Sequence, residues 1–440
     1  MRRVTPMILA VLFVTGLVPS GGMTGPLPDP ETRFPPVEME AVKLGQLLFY
    51  DPILSGSKTV SCATCHHPRF ATSDGVSLGL GDGGLGLGPD RRPDPENVPE
   101  QSIPRNAPAL FNLGATEFTR FFHDGRLEQD PSRPSGIRTP LGAEMEKGFK
   151  SALAAQAMFP VLSGDEMAGH YSENDVAKAV RLGFLTGEHG AWAILSARVD
   201  NIDTYKQMFK KVNGSSRPVA FTDIANVIAD FMAFEWRADQ SPFDLYLRQG
   251  TPLPDKAMAG MSLFYGKAGC DSCHSGIFQT DQGFHAIAMP QIGPGKAARF
   301  ERHQRDTGRM RVTGHPDDAY KFRTPSLRNV TETGPYGHSG AYSSLEAVIR
   351  HHLSPVKALE NYSISNATWP KMSFEADNKL MQDTAERDAI AKANELPAQK
   401  LSDDEVSEII AFLKTLKDDQ SLAGRLGIPK KVPSGLPVDQ

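Results

Sequence analysis

The chain has 440 residues, a net charge of −5, and 40% apolar and 22% charged side chains. These shares are those of a soluble globular protein, and the length suits two or three domains of about 100–200 residues each. With no basic stripe to displace counterions from phosphates, nucleic acid is excluded as the main partner.

The first segment reads as an export signal. Arg2 and Arg3 form a charged start, Met7 to Val18 an apolar run, and Ser20 to Gly25 a small-residue stretch for cleavage. The run falls short of the ~20 residues that span hydrocarbon, and no second run of that length follows. Residues 1–24 are therefore expected to be a signal peptide. The mature protein is expected in the periplasm, without stable membrane insertion.

A helical spacing of apolar residues from Val37 to Phe49 leads into Ser61-Cys62-Ala63-Thr64-Cys65-His66. The same order recurs later, where Asp255 to Ala268 leads into Gly269-Cys270-Asp271-Ser272-Cys273-His274. These two motifs hold all four cysteines of the chain. Cys-x-x-Cys-His is the attachment signature of c-type haem. Two thiols one helical turn apart form thioethers with the vinyl groups on one porphyrin edge, and the following imidazole binds iron. A thioredoxin-like pair calls for a βαβ setting that neither segment has. A shared Cys₄ zinc site or simple disulfides would leave both histidines without a purpose. The motifs thus predict two covalently bound haem c groups, with Cys62, Cys65 and His66 at the first and Cys270, Cys273 and His274 at the second.

Asp74 to Pro108 is a long loop rich in Gly and Pro. Gly79 to Gly84 matches G-x-G-x-x-G, but no strand precedes it and prolines follow it, so a covering loop is expected. Between Pro68 and Phe122 there is neither His nor Met, which predicts an open face on the first iron. Apart from His67, His123, Met145 and Met158 are the nearby groups able to close it. Thr139 to Met145 places Glu144 on an otherwise small and apolar loop. There it is either an ordinary surface acid or a group that moves a proton between the oxygens of peroxide.

Further helices are expected at Ser172 to Arg181, Ala191 to Val199, Phe221 to Arg237 and Ser402 to Leu416. The last opens with Ser402 and Glu405 as a capping box. For the second iron, His285, Met289, His303, His315, His338, His351 and His352 are the downstream candidates. His351 and His352 follow a helical stretch and point about 100° apart, so at most one of them ligates. The fold class expected is mostly α, with long ordered loops.

Several segments resemble the bacterial di-haem cytochrome c peroxidase superfamily, including its MauG-type members. They are Leu44-Gly45-x-x-Leu48-Phe49 with Asp51-Pro52, Arg105-Asn106-Ala107-Pro108, Asp124-Gly125-Arg126, Glu144-Met145 and Ser241-Pro242-Phe243-Asp244. After the second motif come Asp306-x-Gly308-Arg309, Thr324 to Asn329, Pro335-Tyr336 and His338-Ser339-Gly340. The resemblance implies two c-type cytochrome domains with one haem each, over residues 25–245 and 246–440. Peroxide would react at the first haem, and the second would relay electrons. It also implies Glu144 as the catalytic acid, His352 as sixth ligand of the second iron, and a calcium ion held by Asn106 and the backbone oxygens of Arg323 and Pro325. His123 stands where the family has a tryptophan between the haems. No histidine stands in the first loop to cap the active haem.

The leading expectation is an enzyme that reduces hydrogen peroxide with electrons from a small periplasmic cytochrome c or cupredoxin. A second is a MauG-like oxidase that uses peroxide to modify Trp or Tyr side chains of a partner protein. A third, of another class, is a non-enzymatic di-haem electron carrier.

Overall fold

The computed structural model describes residues 25–296 and 303–440. The expected signal peptide at 1–24 lies outside them, and among the described residues no helix is long and apolar enough to cross a membrane.

The helix Met39–Phe49 buries Ala41, Val42, Leu44, Leu48 and Phe49 on one face and ends ahead of Asp51-Pro52, where proline removes the next donor. It lies against the long helix Phe221–Glu235, which is buried along most of its length. The two backbones meet at Gly45, where any Cβ would overlap the Val227 carbonyl. Phe49, Phe231 and Trp236 close this core with Phe49 and Trp236 ring centroids 5.0 Å apart.

The second half repeats the device. The helix Asp255–Phe264 crosses Asp403–Lys414, and a Cβ on Gly260 would overlap the Glu408 carbonyl. Phe243, Phe264, Tyr265 and Phe412 form the cluster there. Ser402 caps its helix as expected, accepting from Glu405 N at 3.2 Å while Glu405 Oε2 accepts from Ser402 N at 2.9 Å. In each half, then, a glycine lets a buried helix pin the helix that leads to the Cys-x-x-Cys-His segment.

The helices expected from spacing are present at Asp175–Arg181, Ala191–Asp200 and Leu345–Leu353 as well. Several more were not legible, among them Asp203–Asn213, whose buried face is only Tyr205 and Phe209. Among the described residues, strands are confined to three small antiparallel sheets of two or three short strands.

From Leu422 the chain returns to the first core. Leu426 N and Gly427 N donate to the Glu235 carboxylate at 2.7 and 2.8 Å, and Ser434 donates to Asp51 at 2.7 Å. Thr64, within the first motif, donates to Asp439 at 2.7 Å. The halves are joined by Arg105, whose guanidinium is buried and paired with Asp306 at 2.7 Å and Asp124 at 2.8 Å. Burial alone would raise both carboxyls, but Arg105 outweighs it and holds them well below the usual range.

Candidate functional site

Cys62–Cys65 is a single helical turn, started by Ser61, whose N–H donates to the Thr64 hydroxyl at 3.0 Å. Both thiols are unpaired and face a cavity, and burial pushes each up to about 12. His66, just past the turn, shares a hydrogen bond between Nδ1 and the Thr72 carbonyl at 2.9 Å. A carbonyl only accepts, so in the neutral ring Nδ1 carries the proton and Nε2 the lone pair. Burial also keeps the ring neutral by lowering its basicity.

The second motif is built alike. His274 Nδ1 meets the Gln279 carbonyl at 3.0 Å, and Cys270 is pushed up to about 12 by burial. Burial first, and then the nearby His352 imidazole, lower His274 to about 4. Two neutral imidazoles, each oriented by a carbonyl five or six residues on, are what metal-ligating histidines require.

His351 and His352 separate cleanly. His351 is buried with both ring nitrogens engaged: Nε2 with the Ile287 carbonyl at 2.7 Å, and Nδ1 with the Tyr342 hydroxyl at 3.0 Å. His352 uses Nδ1 toward the Val348 carbonyl of its own helix at 2.7 Å and keeps Nε2 free. It is His352 whose charge reaches His274.

The first cavity is lined by Cys62, Cys65 and His66 and also by His123, Glu166, Arg126, Lys296 and Arg323. The expectation for Glu144 is corrected here. Glu144 is exposed on the turn Gly142–Glu144 and does not line the cavity, while its neighbour Met145 takes the buried position. The acid in the cavity is Glu166, on the π-turn Gly164–Ala168. Burial raises its carboxyl above the usual range, against the pull of Lys296 and Arg126. The Glu-Met pair occurs three times in the sequence, at 38–39, 144–145 and 166–167, and the last two follow the first Cys-x-x-Cys-His motif. That repetition is the signal that pointed to a choice, and only the fold makes it.

His123 is placed at the junction of the halves. Its Nε2 meets the Asn106 carbonyl at 3.1 Å and its own carbonyl accepts from Arg323 N at 2.8 Å. Burial, followed by Arg105, lowers it to about 4. Asn106 and Arg323 are thus brought together, and Asn106 spends its Nδ2 on the Val76 and Ser77 carbonyls. Cys273, Asp281 and His285 cluster closely enough to suggest a metal, but His285 already bonds Asp281 at 2.8 Å.

The cavity fits haem on three counts visible in the protein itself. Buried unpaired thiols have partners in thioethers, and the lone pair of a neutral imidazole has one in iron. Buried cations have theirs in propionates: Arg323, lowered by burial to about 10, makes its hydrogen bonds to carbonyls, and burial brings Lys296 down to about 8.

Two such sites on a helix-rich frame define a di-haem protein of the c type. The family model for di-haem cytochrome c peroxidase matches residues 39–251. The chain is 29% identical over 374 residues to the methylamine utilization protein MauG of Methylorubrum extorquens, covering 84% of this chain and 82% of that one. With the cytochrome c551 peroxidase of Pseudomonas aeruginosa it shares 28% identity over 327 residues, 74% and 75% of the two chains. A crystal structure of a MauG-like protein associated with microbial copper homeostasis superposes with a TM-score of 0.56 at 26% identity, covering 90% of this chain and 95% of that one. Over residues 39–251 the chain matches the di-haem cytochrome c peroxidase family, and the relatives it is similar to include both MauG and cytochrome c551 peroxidase.

Proposed function

We propose that the protein is an exported, periplasmic di-haem peroxidase of two cytochrome domains, with one covalently held haem c in each. Hydrogen peroxide is reduced at the His66 site with electrons that pass through the His274 site from a small cytochrome c or cupredoxin. One contrast carries this reading. A second imidazole, His352, stands near His274, whereas the His66 cavity contains a carboxyl, Glu166. A fully ligated iron stores and passes electrons, and one with an open face beside an acid can bind and cleave peroxide.

When bound, haem supplies the electrons and the binding position for peroxide. The chain's own groups do the rest. Cys62, Cys65, Cys270 and Cys273 tether the two rings, and Thr72 and Gln279 orient the proximal imidazoles through their carbonyls. Lys296 and Arg323 neutralise charge at the cavity wall. Glu166 moves a proton from one oxygen of peroxide to the other, so that water departs rather than hydroxide. His123 takes the place of an aromatic mediator at the junction of the halves. Asn106, with the Arg323 and Pro325 carbonyls, forms the proposed calcium position, where oxygen ligands suit that ion.

The test is the spectrum of the oxidised holoprotein before and after stoichiometric peroxide. One high-spin and one low-spin iron, both responding to peroxide, agree with the proposal. Two low-spin irons with no response leave only an electron carrier. A MauG-like oxidase acting on Trp or Tyr of a partner protein is the second reading, favoured by the similarity to MauG over most of both chains. Slow turnover with small donors, and quenching by one specific protein, would select it.

A further inference from the structure

Reduction of peroxide to two waters consumes two electrons and two protons, and Glu166 lines the cavity at His66 as a half-buried side chain. Cleavage itself needs no net proton, since one moves between the two oxygens. Both solvent protons enter later, with the electrons.

The loop that carries Glu166 also carries a path outward. Asp165, the preceding residue, turns away from the cavity, where its carboxylate accepts from Gln101 at 2.9 Å and lies 3.4 Å from His170 Nε2. The other ring nitrogen, His170 Nδ1, lies 3.8 Å from the Glu100 carboxylate, and Glu100 is 42% exposed while the His170 side chain is 12% exposed. On the inner side, Glu166 is hydrogen-bonded by Ser163 across the same turn. The geometry is held from both faces. A Cβ on Gly81 would overlap the Asp165 carbonyl, and one on Gly164 would come within 3.2 Å of the His170 ring. The backbone here is a π-turn followed by Tyr171 and Ser172 with φ of 53° and 66°. Wide turns and left-handed non-glycine residues concentrate where a fold is held out of its relaxed form for a purpose.

We propose that Glu100, His170 and Asp165 form the route by which solvent protons reach Glu166, with His170 the exchanging link. An imidazole suits that role because it accepts a proton on one nitrogen and releases one from the other near neutral pH. The last step, between the adjacent carboxyls, is assigned to the turn at Ser163, which hydrogen-bonds Glu166. Per turnover two protons pass inward, the carriers return to their starting states, and the two electrons come from the donor through the second haem. The proposal rests on the peroxidase reading and extends it to proton supply.

The experiment uses the full holoprotein, with ascorbate and a phenylenediamine mediator as donor at concentrations where the wild-type rate no longer rises. In H170A the initial spectral change on mixing with peroxide is expected to stay within twofold of wild type. Saturated turnover should fall at least tenfold with a larger solvent deuterium isotope effect, and added imidazole should restore it. In D165N turnover should fall similarly without imidazole rescue. Turnover of H170A within twofold of wild type overturns the route. So does a loss in which the initial peroxide step falls in parallel and imidazole restores nothing, because that marks a structural defect. A normal H170A beside a slow K296Q places the route elsewhere. No spectral response in the wild type removes the peroxidase reading and this route together.

Discussion

Replacing Glu166 by Gln keeps the side chain's size and hydrogen-bonding reach and removes its ability to move a proton. The side chain lies in the cavity at His66, where burial raises its carboxyl and makes the neutral, proton-bearing form accessible. Positioned general acid–base groups contribute about 10²–10⁴ in rate, or ~3–5 kcal/mol of barrier at ~1.36 kcal/mol per decade. Glu166→Gln should therefore slow the peroxide-dependent Soret change by two to four orders of magnitude in stopped-flow mixing, with both haems still attached. Glu144→Gln is the matched control. Glu144 is solvent-exposed, and a surface change worth ~0.5 kcal/mol or less moves a rate by about twofold. A Glu166→Gln rate within about fivefold of wild type, or the large loss in Glu144→Gln instead, would refute the assignment.

Other substitutions separate ligand from scaffold. His352→Ala should convert the second iron to high spin in EPR. His351→Ala should leave it low spin and lower the melting temperature, since the Ile287 carbonyl and Tyr342 hydroxyl each lose a partner at about 1–3 kcal/mol per buried group. Arg105→Gln strands the carboxyl of Asp306 and leaves Asp124 with Arg126 alone, and a stranded buried charge costs ~3–5 kcal/mol, readable as a lower urea midpoint at pH 7. In the wild type both carboxyls sit below their unfolded value of ~3.9. Their contribution is complete above that value and lost as pH falls through the folded ones. The wild-type midpoint should drop steeply below about pH 4, and Arg105→Gln should flatten that limb. Gly45→Val should destabilise by about 1–3 kcal/mol or more, measured by thermal melt, because the helix must move off Val227.

The two Cys-x-x-Cys-His segments were legible because their chemistry is local. Cys62, Cys65 and His66 are set by one helical turn, and the carbonyls that orient His66 and His274 lie only six and five residues further along. The helices that lead to each motif were legible for the same reason, since a buried face repeats every three or four residues. Tertiary structure alone decided between groups of identical local character. Glu144-Met145 and Glu166-Met167 are the same dipeptide, and only the folded chain turns the second carboxyl into the cavity. His351 and His352 are adjacent on one helix, and what commits His351 is a carbonyl 64 residues away at Ile287. Local sequence determines which side chains a segment offers, and contacts between distant segments determine which of them face the reacting atoms.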